Sequence, residues 1–344
     1  MKEIFPTIEQ WIAQTKSFAI ATVTNTWGSS PRPVGSTMIV STDMEMAGSV
    51  SGGCVEGAVL KAAKDLIEQG GGKRLAFGVT DEEAWQVGLT CGGSIQVYLD
   101  SFNVKDDQTE ENALWQRLQS CLKNNEPCIL VTKLVDGENQ HLLVFPDGTY
   151  LGKAPQAELL EQALDAYKER KNQVIEIEDQ QYFAHIFPRQ SQMLIIGAAH
   201  ITADLVQLAK LYDFETIVID PRGVFTNKTQ FKIPPDQLHE KYPEEVLGDF
   251  NLDTYTFAVI LSHDPKIDDN ALNLLLRSDV AYIGALGSRK TQAKRVARLT
   301  EAGYSKAEIA RIHAPIGVDI NAKKPREIAL SIIGEIIKVQ NQFF

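Results

Sequence analysis

No apolar run in this 344-residue sequence is long enough to span a bilayer, so nothing in it reads as a transmembrane helix. Residues 1–11 include Lys2, Glu3 and Glu9 and lack the apolar centre of a secretion signal. A cytoplasmic protein without membrane partners is therefore expected. Cysteine is scarce as well. Cys54, Cys91, Cys121 and Cys128 form no CxxC pair, no zinc-type spacing and no iron–sulfur pattern. A reducing compartment leaves them as individual thiols. Internal repeats and low-complexity tracts are missing. Basic residues are in deficit, 34 Lys and Arg against 45 Asp and Glu, for a formal net charge of −11. Such a chain repels nucleic acid at long range. Any anionic ligand must be held by local basic groups or by backbone amides.

What is present is the balance of a globular protein, 44% apolar and 23% charged, in a length that suits two domains. Strands are expected over 18–24, 37–40, 45–50, 74–79 and 94–99, with a loop over 27–36 and a helix over 54–68. The middle reads as a helix over 110–122, a hairpin of 128–135 with 141–145, a helix over 156–170 and a strand over 174–187. Apolar patterning lapses at 188–191 and restarts sharply. This places an N-terminal mixed α+β domain over 1–190 and a second domain over 191–344.

In the second domain the apolar runs 193–196, 216–219, 257–261 and 281–283 are short and nearly continuous, as in strands covered on both faces. Helical patterns over 202–211, 270–276 and 291–302 separate most of them, and a helix over 325–340 follows. Alternating strand and helix predicts an α/β fold, a doubly wound, Rossmann-like parallel sheet.

Four constellations could carry chemistry. The turn Gly197-Ala198-Ala199-His200-Ile201-Thr202 follows a strand, opens a helix, and has Asp220 at the end of the next strand. The spacing is that of a dinucleotide fingerprint, but Ala199 and Thr202 replace the second and third glycines. A β-carbon at the second position crowds a pyrophosphate, so a strand–turn–helix that binds no dinucleotide is the favoured reading, with NAD(P) as the alternative. Next, Ser262-His263-Asp264 sits at a strand's carboxyl end, where ligands bind in open α/β sheets. His263 and Asp264 are candidates to orient a ligand or move a proton; equally, Asp264 or Asp268 caps the next helix. The third, Gly287-Ser288-Arg289-Lys290, opens a helix carrying Lys294, Arg295 and Arg298. Small residues, a capping hydroxyl and a forked guanidinium make an anion cradle there, or a capped helix with a solvated basic face. The fourth is a pair, Gly52-Gly53-Cys54 and Cys91-Gly92-Gly93. Cys54 falls at a helix start, where partial positive charge favours a thiolate. Two small buried cysteines in tight turns are the structural alternative, and Cys121 and Cys128 read as packing residues.

Taken in order, these constellations resemble the xanthine dehydrogenase accessory protein family, the XdhC/CoxI type. The matching residues are the loop 28–35, the stretch 48–56, Cys91-Gly92-Gly93, 196–200, His263-Asp264, 282–289, 315–320, 325–329 and 331–335. The resemblance implies an accessory factor rather than an enzyme with its own turnover. It implies that the molybdenum cofactor (molybdopterin) is bound as cargo, protected while its terminal sulfido ligand is installed, and delivered to a xanthine-dehydrogenase-like molybdenum hydroxylase apoenzyme. A cysteine-desulfurase-type sulfur donor goes with that picture, and the apolar helices and acidic charge are compatible with a homodimer. Gly52, Gly53, Cys54, Cys91, Gly92, Gly93, Gly197, His200, His263, Asp264, Gly287, Ser288 and Arg289 are then the expected cofactor-binding residues, with Cys54 and Cys91 as soft ligands towards molybdenum. Ala199 is a departure, since the family usually carries a second glycine before the histidine. The rival function is an NAD(P)-dependent oxidoreductase using the C-terminal domain.

Overall fold

Successive side chains of a strand point to opposite faces, and each sheet of this protein sorts its apolar residues between two faces in that way. The computed structural model describes residues 1–28, 30, 32–78, 93–103, 110–223 and 231–342; the side chains of Lys2 and Cys54 lie outside that set. The chain divides into two compact units, Met1–Pro188 and Arg189–Phe344.

The first unit opens with α1 (Phe5–Ala13), whose Ile8 and Trp11 form a buried stripe. Strands β1 (Phe18–Gly28), β2 (Thr37–Ser41), β3 (Met46–Gly48), β4 (Gly72–Gly78) and β5 (Gly93–Phe102) make an antiparallel sheet in the order β3-β2-β1-β5-β4. Helix α2 (Cys54–Gln69) packs its Val55, Val59 and Ala63 on one face of this sheet, against Ala19, Ala21 and Val23 of β1. Phe18 and Ile20, one residue out of phase, face the other way. There they meet α3 (Glu110–Lys123) and a second antiparallel sheet. Its strands are β6 (Cys128–Lys133), β7 (His141–Val144), β8 (Tyr150–Gly152), β9 (Gln173–Ile177) and β10 (Gln180–Phe187), in the order β8-β7-β6-β10-β9. Helix α4 (Ala157–Lys168) covers its far face with Leu159, Ala163 and Ala166.

One strand was expected over 174–187, but β9 and β10 are two, paired as a hairpin. The chain turns at Glu178, which adopts φ +53°, where two successive acidic residues break the apolar alternation. Cys121 and Cys128 are fully buried, as packing residues should be, and burial pushes both thiol pKa values up.

A buried ionic group joins the two sheets and α3. His141 of β7 lies 2.5 Å through Nδ1 from Glu111 and 3.3 Å through Nε2 from Asp100 of β5. Burial disfavours the imidazolium, but the carboxylates of Asp100 and Glu111 outweigh it and raise the His141 pKa to about 10. Among the described residues Asp100 Oδ1 has no hydrogen-bond partner.

The second unit is doubly wound. Strands β11 (Gln192–Ile196), β12 (Glu215–Ile219), β13 (Gln237–His239), β14 (Thr256–Ile260), β15 (Tyr282–Ala285) and β16 (Ile312–His313) form a parallel sheet in the order β13-β12-β11-β14-β15-β16. Numbered within the unit this is 3-2-1-4-5-6, the dinucleotide-fold order. Met193 and Ile195 face α5 (His200–Leu211) and the helix over Pro325–Gln340; Leu194 and Ile196 face α6 (Pro265–Leu275). Both faces are dry, which is why the strands read as continuous apolar runs. Helices α7 (Arg289–Glu301), α8 (Lys306–Ala310) and α9 (Pro325–Gln340) complete the unit. Glu335 of α9 accepts hydrogen bonds from the Tyr282 hydroxyl and from Gly317 N–H at 2.8 Å, with His313 Nδ1 at 3.4 Å. Gly317 has φ +95°, and a Cβ there would collide with Ser331 Oγ. No helix among the described residues is long and apolar enough to cross a membrane.

Candidate functional site

Parallel strands end on the same side, so the loops after β11, β14 and β15 share the carboxyl edge of one sheet. The ladder extends past the strand ends and fixes them together. Leu261 N–H donates to Ile196 O at 2.7 Å, and Leu286 N–H to Ile260 O at 2.9 Å. This edge brings together seven expected site residues: Gly197, His200, His263, Asp264, Gly287, Ser288 and Arg289. His200, His263, Ser288 and Arg289 are exposed on it.

Gly197 is required by close approach. Its φ is +108°, and a Cβ would sit 2.6 Å from Ser262 N. Thr202, at the third glycine position of the fingerprint, is fully buried and donates its hydroxyl to Gly197 O at 2.6 Å. It closes the turn that a glycine would leave open. No side chain caps α5 at Ala199.

The loop after β14 is held from below. Ser262 donates to Asp268 at 2.5 Å, and Asp268 lies 3.2 Å from Arg295 Nη2, which also donates to Leu286 O at 3.0 Å. Arg295 is 1% exposed, so it belongs to the scaffold and not to a basic surface. Burial raises the Asp268 pKa above the usual carboxylate range although Ser262 and Arg295 oppose it. Arg298 is engaged by Asp269 at 2.5 Å. The basic face expected along α7 is thus largely taken up by α6. Asp264 caps α6, accepting from Lys266 N–H at 2.9 Å, and His263 stands out of the loop at φ +60°. Ser288 caps α7, accepting from Thr291 N–H at 3.2 Å, and Arg289 and Lys290 are both exposed beside it.

Asp220, at the end of β12, is fully buried, and its carboxylate is consumed within the protein. Oδ2 accepts from Ala198 N–H and Arg222 Nη2, each at 2.8 Å; Oδ1 accepts from Arg222 N–H and Nε, each at 2.9 Å. Burial works against the charged form, but Arg222 and Ala198 hold the Asp220 pKa below its ordinary value. Arg222 Nη1 reaches on to Ser262 O at 3.2 Å. Sequence reasoning missed Arg222. The available signal was Asp220-Pro221-Arg222 directly after a strand, since the proline turn returns the arginine to the same carboxylate.

In the first unit, Gly52 and Gly53 precede Cys54, the first residue of α2. Glu56 accepts from Ser51 N–H at 2.8 Å, Gly52 N–H at 2.6 Å, Gly53 N–H at 2.7 Å and the Ser49 hydroxyl at 2.9 Å. Burial opposes ionisation, but these backbone donors pull the Glu56 pKa down to about 2. The loop's amides are therefore already turned onto an internal anion, which weakens the case that the helix start alone acidifies Cys54. Gly93 begins β5 opposite Gly28, so the register of β1 and β5 joins the glycine loop 28–35 to the end of the Cys91-Gly92-Gly93 motif. Cys91 and Gly92 themselves lie outside the described residues. Among the described residues no group of three or more His, Cys, Asp or Glu side chains converges as a metal site.

The fold defines a two-unit protein whose second half is a Rossmann-type domain. The model of the XdhC Rossmann domain matches residues 193–336, and that of the XdhC and CoxI family matches 11–78. The chain belongs to the XdhC and CoxI family. It is 27% identical to a probable xanthine dehydrogenase subunit of Bacillus subtilis, over 94% of this chain and 93% of that protein. It is 24% identical to the molybdenum cofactor insertion chaperone PaoD of Escherichia coli, over 94% of this chain and 84% of that protein. Among solved structures, a Bacillus halodurans protein described as a xanthine dehydrogenase shares the fold, with a TM-score of 0.76 at 24% identity over 98% of this chain and 96% of that one.

Proposed function

We propose that this protein is a maturation factor for a molybdenum hydroxylase of the xanthine dehydrogenase type. It binds the molybdenum cofactor as cargo, shields it while the terminal sulfido ligand is installed by a cysteine-desulfurase-type donor, and passes it to the apoenzyme. It performs no turnover of its own. The observation that carries the reading is the shared carboxyl edge of β11, β14 and β15 in a chain of this family. The donors on that edge fit the phosphate end of the cargo. Arg289 is exposed at the start of α7 and offers a planar fork to a phosphate, and the helix start adds favourable potential. Cys54 and Cys91, thiols of the first unit, are proposed to handle soft atoms, molybdenum or sulfur.

The test is the Arg289→Ala variant, produced beside the parent in a host that makes molybdenum cofactor. Cofactor content is read from the fluorescence of the released, oxidised pterin. A charged forked hydrogen bond is worth about 1.5–3 kcal/mol, so retention should fall by roughly 10- to 100-fold with circular dichroism unchanged. Equal pterin in parent and variant would remove Arg289 from the site. A parent that never carries pterin would end the proposal itself.

A further inference from the structure

We propose that Arg222 is a specificity-determining residue that shuts the Rossmann crevice of this protein to dinucleotides. In the strand order 3-2-1-4-5-6 the ligand crevice opens between the carboxyl ends of β11 and β14, where the order reverses. A dinucleotide needs three things there: turn amides aimed at its pyrophosphate, an acidic residue at the end of the second strand ready to accept from ribose hydroxyls, and room between the two strand ends.

One of the turn amides, the acidic residue and the room between the strand ends are taken by the protein itself. The Ala198 N–H, in the turn after β11, donates to Asp220 Oδ2. Both Asp220 oxygens are occupied, one by Ala198 and Arg222 and the other by two donors of Arg222, and the carboxylate is fully buried. The guanidinium of Arg222 then continues to Ser262 O beyond β14. Since β11 lies between β12 and β14, a side chain bonded to the ends of both outer strands bridges the carboxyl end of the middle one. It lies across the line a pyrophosphate would follow. The close packing of Gly197 on Ser262 narrows the gap beneath it. The crevice has the topology of a dinucleotide site and an arginine in place of the ligand. An arginine near the second-strand carboxylate can instead serve as a ligand for a 2′-phosphate, so the two roles must be separated by experiment.

The experiment titrates NADH and NADPH into the full chain and reads nicotinamide fluorescence. Three proteins are compared: the parent, Arg222→Ser, and Arg222→Ser combined with Ala199→Gly to relieve the turn. The parent is expected to bind neither nucleotide saturably. The double variant should bind NADH at least about tenfold more tightly than the parent, with the single variant between them. If Arg222→Ser does not melt cooperatively, Arg222→Gln takes its place. Its amide can donate to Asp220 but cannot also span to Ser262, so NADH should again gain access. Saturable NADH binding by the parent overturns the proposal. So does NADPH binding by the parent that Arg222→Ser abolishes, which would make Arg222 a ligand. Folded variants that bind NADH no better than the parent overturn it as well.

Discussion

Replacing His141 should cost the first unit a large part of its stability, and the cost should depend on pH in a stated direction. The imidazole is 1% exposed and sits between Asp100 and Glu111. In His141→Gln the cation disappears while a carboxylate remains on either side of its place, one of them with an oxygen that has no partner among the described residues even in the parent. Removing one member of a buried ionic group costs about 3–5 kcal/mol. The sign with pH follows from the raised pKa. A group at about 10 in the folded protein, against an ordinary value near 6.5, contributes its full stabilisation below the unfolded value. That contribution drains away as pH rises towards 10, at no more than about 1.4 kcal/mol per pH unit for a single proton. Urea unfolding at stepped pH from 6 to 10 measures it without adding salt. The sequence supplies a selective probe, because its four tryptophans, Trp11, Trp27, Trp85 and Trp115, all precede residue 188. Tryptophan emission therefore reports the first unit, and Trp115 packs edge-on to His141 with ring centroids 5.3 Å apart. The parent should lose stability steadily through this range, and His141→Gln should be weaker at pH 6 and flatter above it. A parent whose stability is level between pH 7 and 9.5, or a variant that costs under about 1 kcal/mol, refutes an imidazolium bridge.

Two further outcomes are expected. Gly317→Ala should lower the melting temperature of the second unit: its φ of +95° alone strains an alanine by roughly 1–2 kcal/mol, and the Cβ runs into Ser331 Oγ. Calorimetry checks this, and an unchanged transition for the second unit would show that the α9 contact yields freely. Alkylation followed by peptide mass spectrometry should find Cys121 and Cys128 slow with or without cargo, since both are fully buried and burial raises their pKa values. Under the proposed function, at least one of Cys54 and Cys91 should react quickly in the empty protein and be shielded in the loaded one. Slow, equal labelling of both would withdraw thiol contact with the cargo.

The parallel sheet was the most legible part of the fold. Strands such as Met193 to Ile196 are apolar on both faces, and each lies beside a helix with a clear start. The edge strands β8, β13 and β16 were not foreseen. Three or two residues give no periodicity, and their pairing is imposed by neighbours already in the sheet. The hairpin turn at Glu178 hid inside one long alternation. At the candidate site, position was readable and chemistry less so. Gly197, His263 and Arg289 could be placed at strand ends from order alone. The sequence does not reveal that Arg295 points inward to Asp268, because charge on a helix usually means a wet face. Nor does it show Glu56 gathering three backbone amides, or Arg222 doubling back onto Asp220. Those bonds depend on backbone direction over a few residues, which composition and spacing leave undetermined.

The placement of α9 has a consequence for how this chain is made. Ile332, Ile333 and Ile336 pack in the same core as Met193 and Ile195 of β11, the strand that opens the second unit. On a ribosome those partners are separated by nearly the whole of that unit, an interval on the order of 10–30 s at ordinary rates of synthesis. Throughout it, the face of β11 that carries Met193 and Ile195 has α5 but not α9 against it, and the Glu335 carboxylate that ties Tyr282 to Gly317 has yet to be translated. Nascent chains stalled between the two halves of the second unit should therefore engage chaperones or aggregate, even though the finished domain buries that strand completely.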